Sequence, residues 1–215
     1  MKKNKLDYQY FYMRNLPHFQ PENALIFITY RLAFNLPKEV LSNLMEIRKL
    51  YDSKIVKINE VEKSKLKKIC NKYLFEIEDK YLDSCRNSPL WLQNNEVAQI
   101  VINSLRFNDR KLYNLYLVMI MPNHVHIIIK PVKSESKPVS LAKIMKDHKS
   151  YTANEANKLL QRNGQFWHHE NYDHYIRDVE DYFRIKNYVL NNPVKARLVD
   201  TYEHWKYFYI SECSM

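Results

Sequence analysis

This sequence predicts an α+β fold built on an antiparallel sheet, and three observations lead there. Leu25-Ile26-Phe27-Ile28-Thr29-Tyr30-Arg31-Leu32 is an apolar, β-branched run lying between Pro21 and Pro37, the mark of a buried strand. Leu112 to Met121 and His124 to Lys130 are two more such runs, separated only by Pro122-Asn123, which reads as an antiparallel hairpin. Around them apolar residues recur at helical spacing, so helices are expected to pack on the sheet.

After the first strand, the pattern from Lys38 to about Arg86 is helical, with Val40, Leu41, Leu44 and Ile47 three and four residues apart, followed by a stretch rich in Lys63, Lys65, Lys67, Lys68 and Lys72. That stretch predicts a helix with one solvated basic face. Such a face is usually plain soluble surface, and an electrostatic track for nucleic acid is its less common use. Asn87-Ser88-Pro89 is a break, and Val97, Ile100, Val101 and Leu105 then form an amphipathic helix ending before Asn108-Asp109. Beyond the hairpin, which Pro131 halts, Lys133 to Pro138 is a polar loop. Ser140 can cap a helix with Leu141, Ile144 and Met145 inside and Lys143, Lys146 and Lys149 on its other faces. Phe166 to Arg177 is aromatic and rich in histidine. Asp178 then caps a helix reaching about Asn192, with Val179, Tyr182, Ile185 and Val189 in its packing stripe and Pro193 marking its end. The tail through Trp205, Tyr207 and Phe208 shows no regular pattern.

A length of 215 residues predicts one domain spanning 1–215,. No apolar run approaches the roughly 18 residues a membrane span needs, so no membrane partner is expected. No signal-peptide core follows Met1-Lys2-Lys3-Asn4-Lys5, and a cytoplasmic location is the expectation. Gly164 is the single glycine, which excludes glycine-rich phosphate cradles and with them a nucleotide cofactor. Cys70, Cys85 and Cys213 are widely spaced with no CxxC, so reduced thiols are expected, with no zinc knuckle and no disulfide framework. Lys plus Arg is 34 against 24 for Asp plus Glu, a net charge of +10, and this favours phosphate-rich or otherwise acidic partners without choosing among them.

Two constellations could carry chemistry. On a strand, alternate side chains share a face, so His124 and His126 project together while Val125 and Ile127 pack on the other side. One metal ion could bridge the two imidazoles, although spacing alone is as readily met by a chance pair on a half-exposed strand. On the later helix, Tyr188 and Asn192 stand four residues apart with Arg184 one turn before, so a phenol, an amide and a guanidinium share one surface. A phenol with a pKa near 10 is a poor nucleophile unless a metal polarises the phosphoryl group it attacks. Taken alone, Tyr188 is one of 17 tyrosines, and packing at the edge of the apolar stripe accounts for it equally well.

Met121-Pro122-Asn123-His124-Val125-His126-Ile127 resembles the HUH motif of single-tyrosine DNA transposases, two histidines around a bulky apolar residue. In the same order as in one branch of that family, the REP-associated tyrosine transposases, come two further similar segments. They are Tyr172-Asp173-His174-Tyr175-Ile176-Arg177-Asp178 and Tyr188-Val189-Leu190-Asn191-Asn192-Pro193-Val194-Lys195-Ala196-Arg197-Leu198-Val199. Phe27-Ile28-Thr29-Tyr30 and Lys149-Ser150-Tyr151-Thr152 fit the branch as well, so the resemblance covers a core of about 25–199, flanked by a basic N-terminal tail and an irregular C-terminal one.

The resemblance implies the HUH endonuclease fold, a ferredoxin-like antiparallel sheet carrying the histidine pair, with Tyr188 on a facing helix. It makes Tyr188 the nucleophile, His124 and His126 metal ligands, and Asn192 the third ligand, with Asn191 a weaker substitute. Such a donor set suits Mg²⁺ or Mn²⁺. The implied activity is cleavage and rejoining of single-stranded or hairpin DNA through a 5′-phosphotyrosine link, without ATP, by a monomer or homodimer working at the nucleoid. Arg184, Lys146, Lys149, Arg177 and Lys195 are the expected phosphate contacts, and Trp167 or Tyr172 the expected stacking platforms. His168, His169 and His174 are expected to pack or hydrogen-bond near the site. Arg197 departs from the branch, which often has Gly there, and the chain end lacks the usual terminal motif. Two rival classes are a non-catalytic single-strand binder, for which a metal would be dispensable, and a metal-dependent hydrolase using water, which would leave no protein adduct.

Overall fold

The computed structural model describes residues 24–56, 58–134 and 137–211, so the basic N-terminal tail and Cys213 lie outside the described residues. In chain order the elements are β1 (Leu25–Arg31), α1 (Lys38–Ile55), α2 (Glu60–Asp83), α3 (Asn95–Phe107), β2 (Tyr113–Ile120), β3 (His124–Pro131), α4 (Leu141–Leu159), β4 (Tyr172–Ile176), α5 (Val179–Leu190), α6 (Asn192–Lys195) and β5 (Phe208–Ile210). The loop expected after β3 carries a small ribbon pairing Lys133–Ser134 with Lys137–Pro138. The five strands form one antiparallel sheet in the order β4-β1-β3-β2-β5. Without α1, α2 and the elements after β4, what remains is β-α-β-β-α-β with the sheet order 4-1-3-2, the ferredoxin-like arrangement,.

Strand alternation divides the sheet into two faces with different tasks. Ile26, Ile28 and Tyr30 of β1 join Val125, Ile127 and Ile129 of β3 in a core roofed by Val97, Val101 and Leu105 of α3 and Leu141, Ile144 and Met145 of α4. Phe27 and Ile128 point the opposite way, into a second core with Ile185 and Val189 of α5. A register shift between Leu115 and Leu117 sends these two residues to opposite faces, as a bulge does when it adds a residue to one strand. All remaining side chains of the second face, the histidines included, therefore look toward α5 and the end of α2.

The helical pattern from Lys38 to about Arg86 divides between Ile55 and Glu60, because Asn59 accepts from the Glu62 N–H at 3.0 Å while Glu62 accepts from the Asn59 N–H at 3.3 Å, a capping box that starts α2 afresh. Two sequence expectations are corrected. The irregular tail adds an edge strand, β5, against β2. The helix read as running to Asn192 ends at Leu190, and Pro193 sits inside α6, where its missing N–H would have no partner anyway. No helix among the described residues is long and apolar enough to cross a membrane.

Candidate active site

β3 places His124 and His126 side by side on the second face, with no exposed surface on either, so the strand is buried there and not half-exposed. Their Nε2 atoms are 3.0 Å apart. Each ring is held from behind. His124 Nδ1 lies 2.7 Å from Asn123 Oδ1, and Asn123 spends its amide nitrogen on the Leu82 carbonyl at 3.0 Å and on Ser88 Oγ at 2.9 Å. Asn123 therefore offers an acceptor, His124 carries its proton on Nδ1, and its Nε2 lone pair faces the site. His126 Nδ1 is likewise 2.7 Å from Thr29 Oγ1. Burial pushes His124 down to about 3 and His126 well below its ordinary value, so both are the neutral imidazoles that bind metals.

α5 brings Tyr188 against this pair, its ring 6.0 Å from that of His126. The phenol donates to Asp79 Oδ2, and Lys195 Nζ stands 4.3 Å from the Tyr188 ring. Asn192, the first residue of α6, is fully buried. Its amide oxygen lies 2.6 Å from His126 Nε2 and its nitrogen donates to Asp83 Oδ1 at 2.5 Å. Asn191 instead turns out to solvent and donates to the Asn187 carbonyl at 2.9 Å, so it is not among the converging donors.

Two acids escaped the sequence reading. Asp79 and Asp83 sit one turn apart at the end of α2. Asp79 is 2% exposed, with Oδ1 3.7 Å from His126 Nε2, and Asp83, 17% exposed, has Oδ1 3.8 Å from His124 Nε2. Burial, reinforced by the neighbouring Asp83, pushes Asp79 up to about 8, and burial pushes Asp83 up to about 7. Burial and the Asp79 charge also drive the Tyr188 phenol far above its usual value. The signal was present: Asp79 shares the buried stripe of α2 with Cys70, Leu74 and Leu82, and an acid on an apolar stripe needs a partner. The surrounding lysines drew the reading toward a solvated face.

The donor set fits a divalent cation. Asp79, His124 and His126 each offer an atom within 4.8 Å of the others, and Asp79 Oδ1 is buried with no hydrogen-bond partner among the described residues. Neighbouring ligands on an octahedral ion with bonds of about 2.1 Å lie about 3 Å apart, close to the 3.0 Å between the two Nε2 atoms. Lone pairs brought this close without a proton or cation between them repel.

The expected DNA contacts are scattered. Lys195, Arg184, Arg177 and Lys146 are exposed, Arg184 paired with Asp181 and Arg177 beside the Tyr175 ring. Two expectations are corrected. Lys149 does not face outward: its Nζ donates to the His168 carbonyl at 2.9 Å, the Glu170 carbonyl at 3.2 Å and Asn171 Oδ1 at 2.5 Å, pinning that loop and leaving no proton for a phosphate. Trp167 is 4% exposed and its indole N–H donates to Thr152 Oγ1 at 2.9 Å, because a bridge to Leu32 extends the sheet and draws the ring into the core. Tyr172 has one face stacked on Phe75 at 3.8 Å. His174 does hydrogen-bond near the site, to Asp181 at 3.0 Å.

No family model matches this sequence, and no curated protein does. A solved structure of a REP-associated tyrosine transposase bound to a REP hairpin matches 90% of this chain and 81% of its own, with a TM-score of 0.54 and 14% sequence identity. At that identity the match shows the fold, a five-stranded antiparallel sheet with helices, and it is the fold that the motifs imply.

Proposed function

We propose that this fold, seen in a transposase on a DNA hairpin, performs strand cleavage and rejoining here, with Tyr188 as nucleophile. One observation carries the reading: across the gap between β3 and α5 the Tyr188 ring lies 6.0 Å from that of His126, and its phenol donates to Asp79, whose other oxygen is 3.7 Å from His126 Nε2. His124, His126 and Asn192 would hold Mg²⁺ or Mn²⁺, which supplies Lewis acidity to a phosphoryl group.

The protein's own groups do the rest. Tyr188 Oη forms a bond to phosphorus as its proton leaves by way of Asp79 Oδ2, the bond to the 3′-oxygen breaks and that oxygen takes up a proton to depart as a hydroxyl, and the 5′ end stays on the enzyme as a phosphotyrosine. A second 3′-hydroxyl reverses the exchange, so the energy of the ester is conserved and no ATP is consumed. Burial and the neighbouring Asp79 hold the phenol's pKa above its ordinary value, so the nucleophile is protonated at rest and attack requires loss of that proton. His124, His126 and Asn192 expose nothing, so substrate enters from the side of Lys195, which is exposed beside the Tyr188 ring. Attack breaks the phenol's bond to Asp79. The net charge of +10 suits a polyanionic partner, with Lys195, Arg184, Arg177 and Lys146 on the surface to meet phosphates.

The test is a denaturing gel of the protein incubated with labelled, hairpin-bearing single-stranded DNA and Mn²⁺. A labelled protein band is expected, and it is expected to vanish in Tyr188→Phe. A band that persists in the variant overturns the assignment, and multiple-turnover cleavage with no band identifies a hydrolase.

A further inference from the structure

We infer that Asp79 is a ligand of the cation, with its second oxygen positioning the nucleophile, so that the inserted helix α2 completes an active site otherwise built by the ferredoxin-like core. The inference deepens the strand-transfer reading and rests on it for the role of Tyr188.

The geometry gives the two oxygens of Asp79 separate tasks. Oδ2 accepts from the Tyr188 phenol. Oδ1 accepts from nothing, is buried, and lies 3.7 Å from His126 Nε2. An unpartnered carboxylate oxygen at 2% exposure has given up its hydration without replacement unless a cation or donor meets it. Among the described residues no donor is within hydrogen-bond distance of it: His126 Nε2 stands 3.7 Å away, and the Asn192 nitrogen goes to Asp83. A cation held between Asp79 and the imidazoles would satisfy it.

Charge arithmetic points the same way. Two neutral imidazoles and an amide bring no formal charge to a divalent ion, whereas one carboxylate cancels half of its charge inside a closed site. It also hardens the donor set toward Mg²⁺ and Mn²⁺, which favour oxygen ligands. Asp83 has a different place. It accepts from the Asn192 amide at 2.5 Å, so it orients a ligand from behind, as Asn123 and Thr29 orient the histidines.

Because one carboxylate touches both cation and phenol, occupancy of the metal site and the position of Tyr188 are linked through α2. Loss of Asp79 therefore affects both metal affinity and the chemical step, while DNA affinity, set by the exposed cations, stays.

The full chain is titrated with Mn²⁺ and free ion is read by its electron paramagnetic resonance signal, with no DNA present. Wild type is expected to bind one ion, Asp79→Asn to bind at least tenfold more weakly, and Asp83→Asn to lose less. Asp79→Asn keeps the shape of the side chain and removes a buried charge, so its fold is expected to survive, and a thermal melt confirms it. With saturating Mn²⁺ and DNA, Asp79→Asn is expected to lower kcat for adduct formation with KM for DNA unchanged. If Asp79→Asn binds Mn²⁺ like wild type while His126→Ala does not, the inference is overturned and the histidine-based reading stands. If wild type and His126→Ala bind Mn²⁺ equally, the metal centre itself is misplaced and both fall.

Discussion

The ferredoxin-like core and the α1–α2 hairpin inserted behind β1 contribute to one site in opposite ways. The core supplies neutral groups whose places are fixed by long strand registers, with Thr29 opposite His126 and Arg31 opposite His124 across β1 and β3. The hairpin has only a small core of its own, around Leu36, Leu44, Cys70 and Leu74, and supplies anionic groups. It is fastened to the sheet by Arg31, whose Nε donates to Glu78 at 2.8 Å, and by Phe75, which meets Phe27 edge-on at 6.0 Å. The contrast teaches that a scaffold can fix the neutral donors of a cluster while a separately packed element sets its charge.

The sharpest way to break this division is on the core side, at a residue that touches neither cation nor DNA. Asn123→Ala removes the acceptor that keeps the His124 proton on Nδ1 and leaves the Leu82 carbonyl and Ser88 Oγ without the N–H they accept from. Hydrogen-bond partners of metal ligands typically matter about 10–100-fold, so cleavage and Mn²⁺ affinity are both expected to fall by that factor with DNA affinity unchanged. Adduct assays and the same Mn²⁺ titration check it. An unchanged Mn²⁺ affinity would mean that the strand register alone holds the ring.

A smaller effect is expected where the hairpin is fastened. Arg31 is buried and also donates to the carbonyls of Leu32 and Phe34, so Glu78→Gln leaves its charge in place while weakening its partner. Glu78 is partly solvated, at 30% exposure, and the cost is expected to be about 1–2 kcal/mol in urea unfolding. Amide exchange is expected to quicken in α1 and α2 while α3 and α4 stay protected. Equal quickening in all four would show hairpin and core to be one cooperative unit.

This contrast also explains what the sequence made legible. The hairpin β2–β3 and the pairing of its two histidines follow from period-two alternation, and the helix at Tyr188 follows from Asp178 and a clear apolar stripe, so these stood out directly. Their convergence did not follow from spacing, and only the ordered motifs indicated that Tyr188 faces the imidazoles. Asp79 and Asp83 were hidden because a helix of alternating charges obscures a single acid on its buried stripe. Trp167 and Lys149 were misplaced for the converse reason. Aromatic and cationic side chains look alike in sequence whether they serve a ligand or hold a loop, and only Thr152 and the carbonyls of His168 and Glu170 show which.

The smallest effect is expected at Arg197, which departs from the motif that its segment resembles. Arg197 has φ +57°, its N–H donates to the Val194 carbonyl at 2.9 Å, and that of Leu198 donates to the Pro193 carbonyl at 2.9 Å. These two bonds form the Schellman end of α6, whose left-handed position favours glycine. A side chain with a Cβ is strained there, and glycine removes the strain while adding freedom to the unfolded chain. The balance predicts that Arg197→Gly gains about 0.5–1 kcal/mol in thermal or urea unfolding. The substitution lies just beyond Asn192 and Lys195 on the core side and leaves Glu78 and α2 untouched, so amide exchange is expected to slow around α6 and not in the hairpin. Slowing in α2 as well would show that the Asn192–Asp83 bond transmits stability between the two regions.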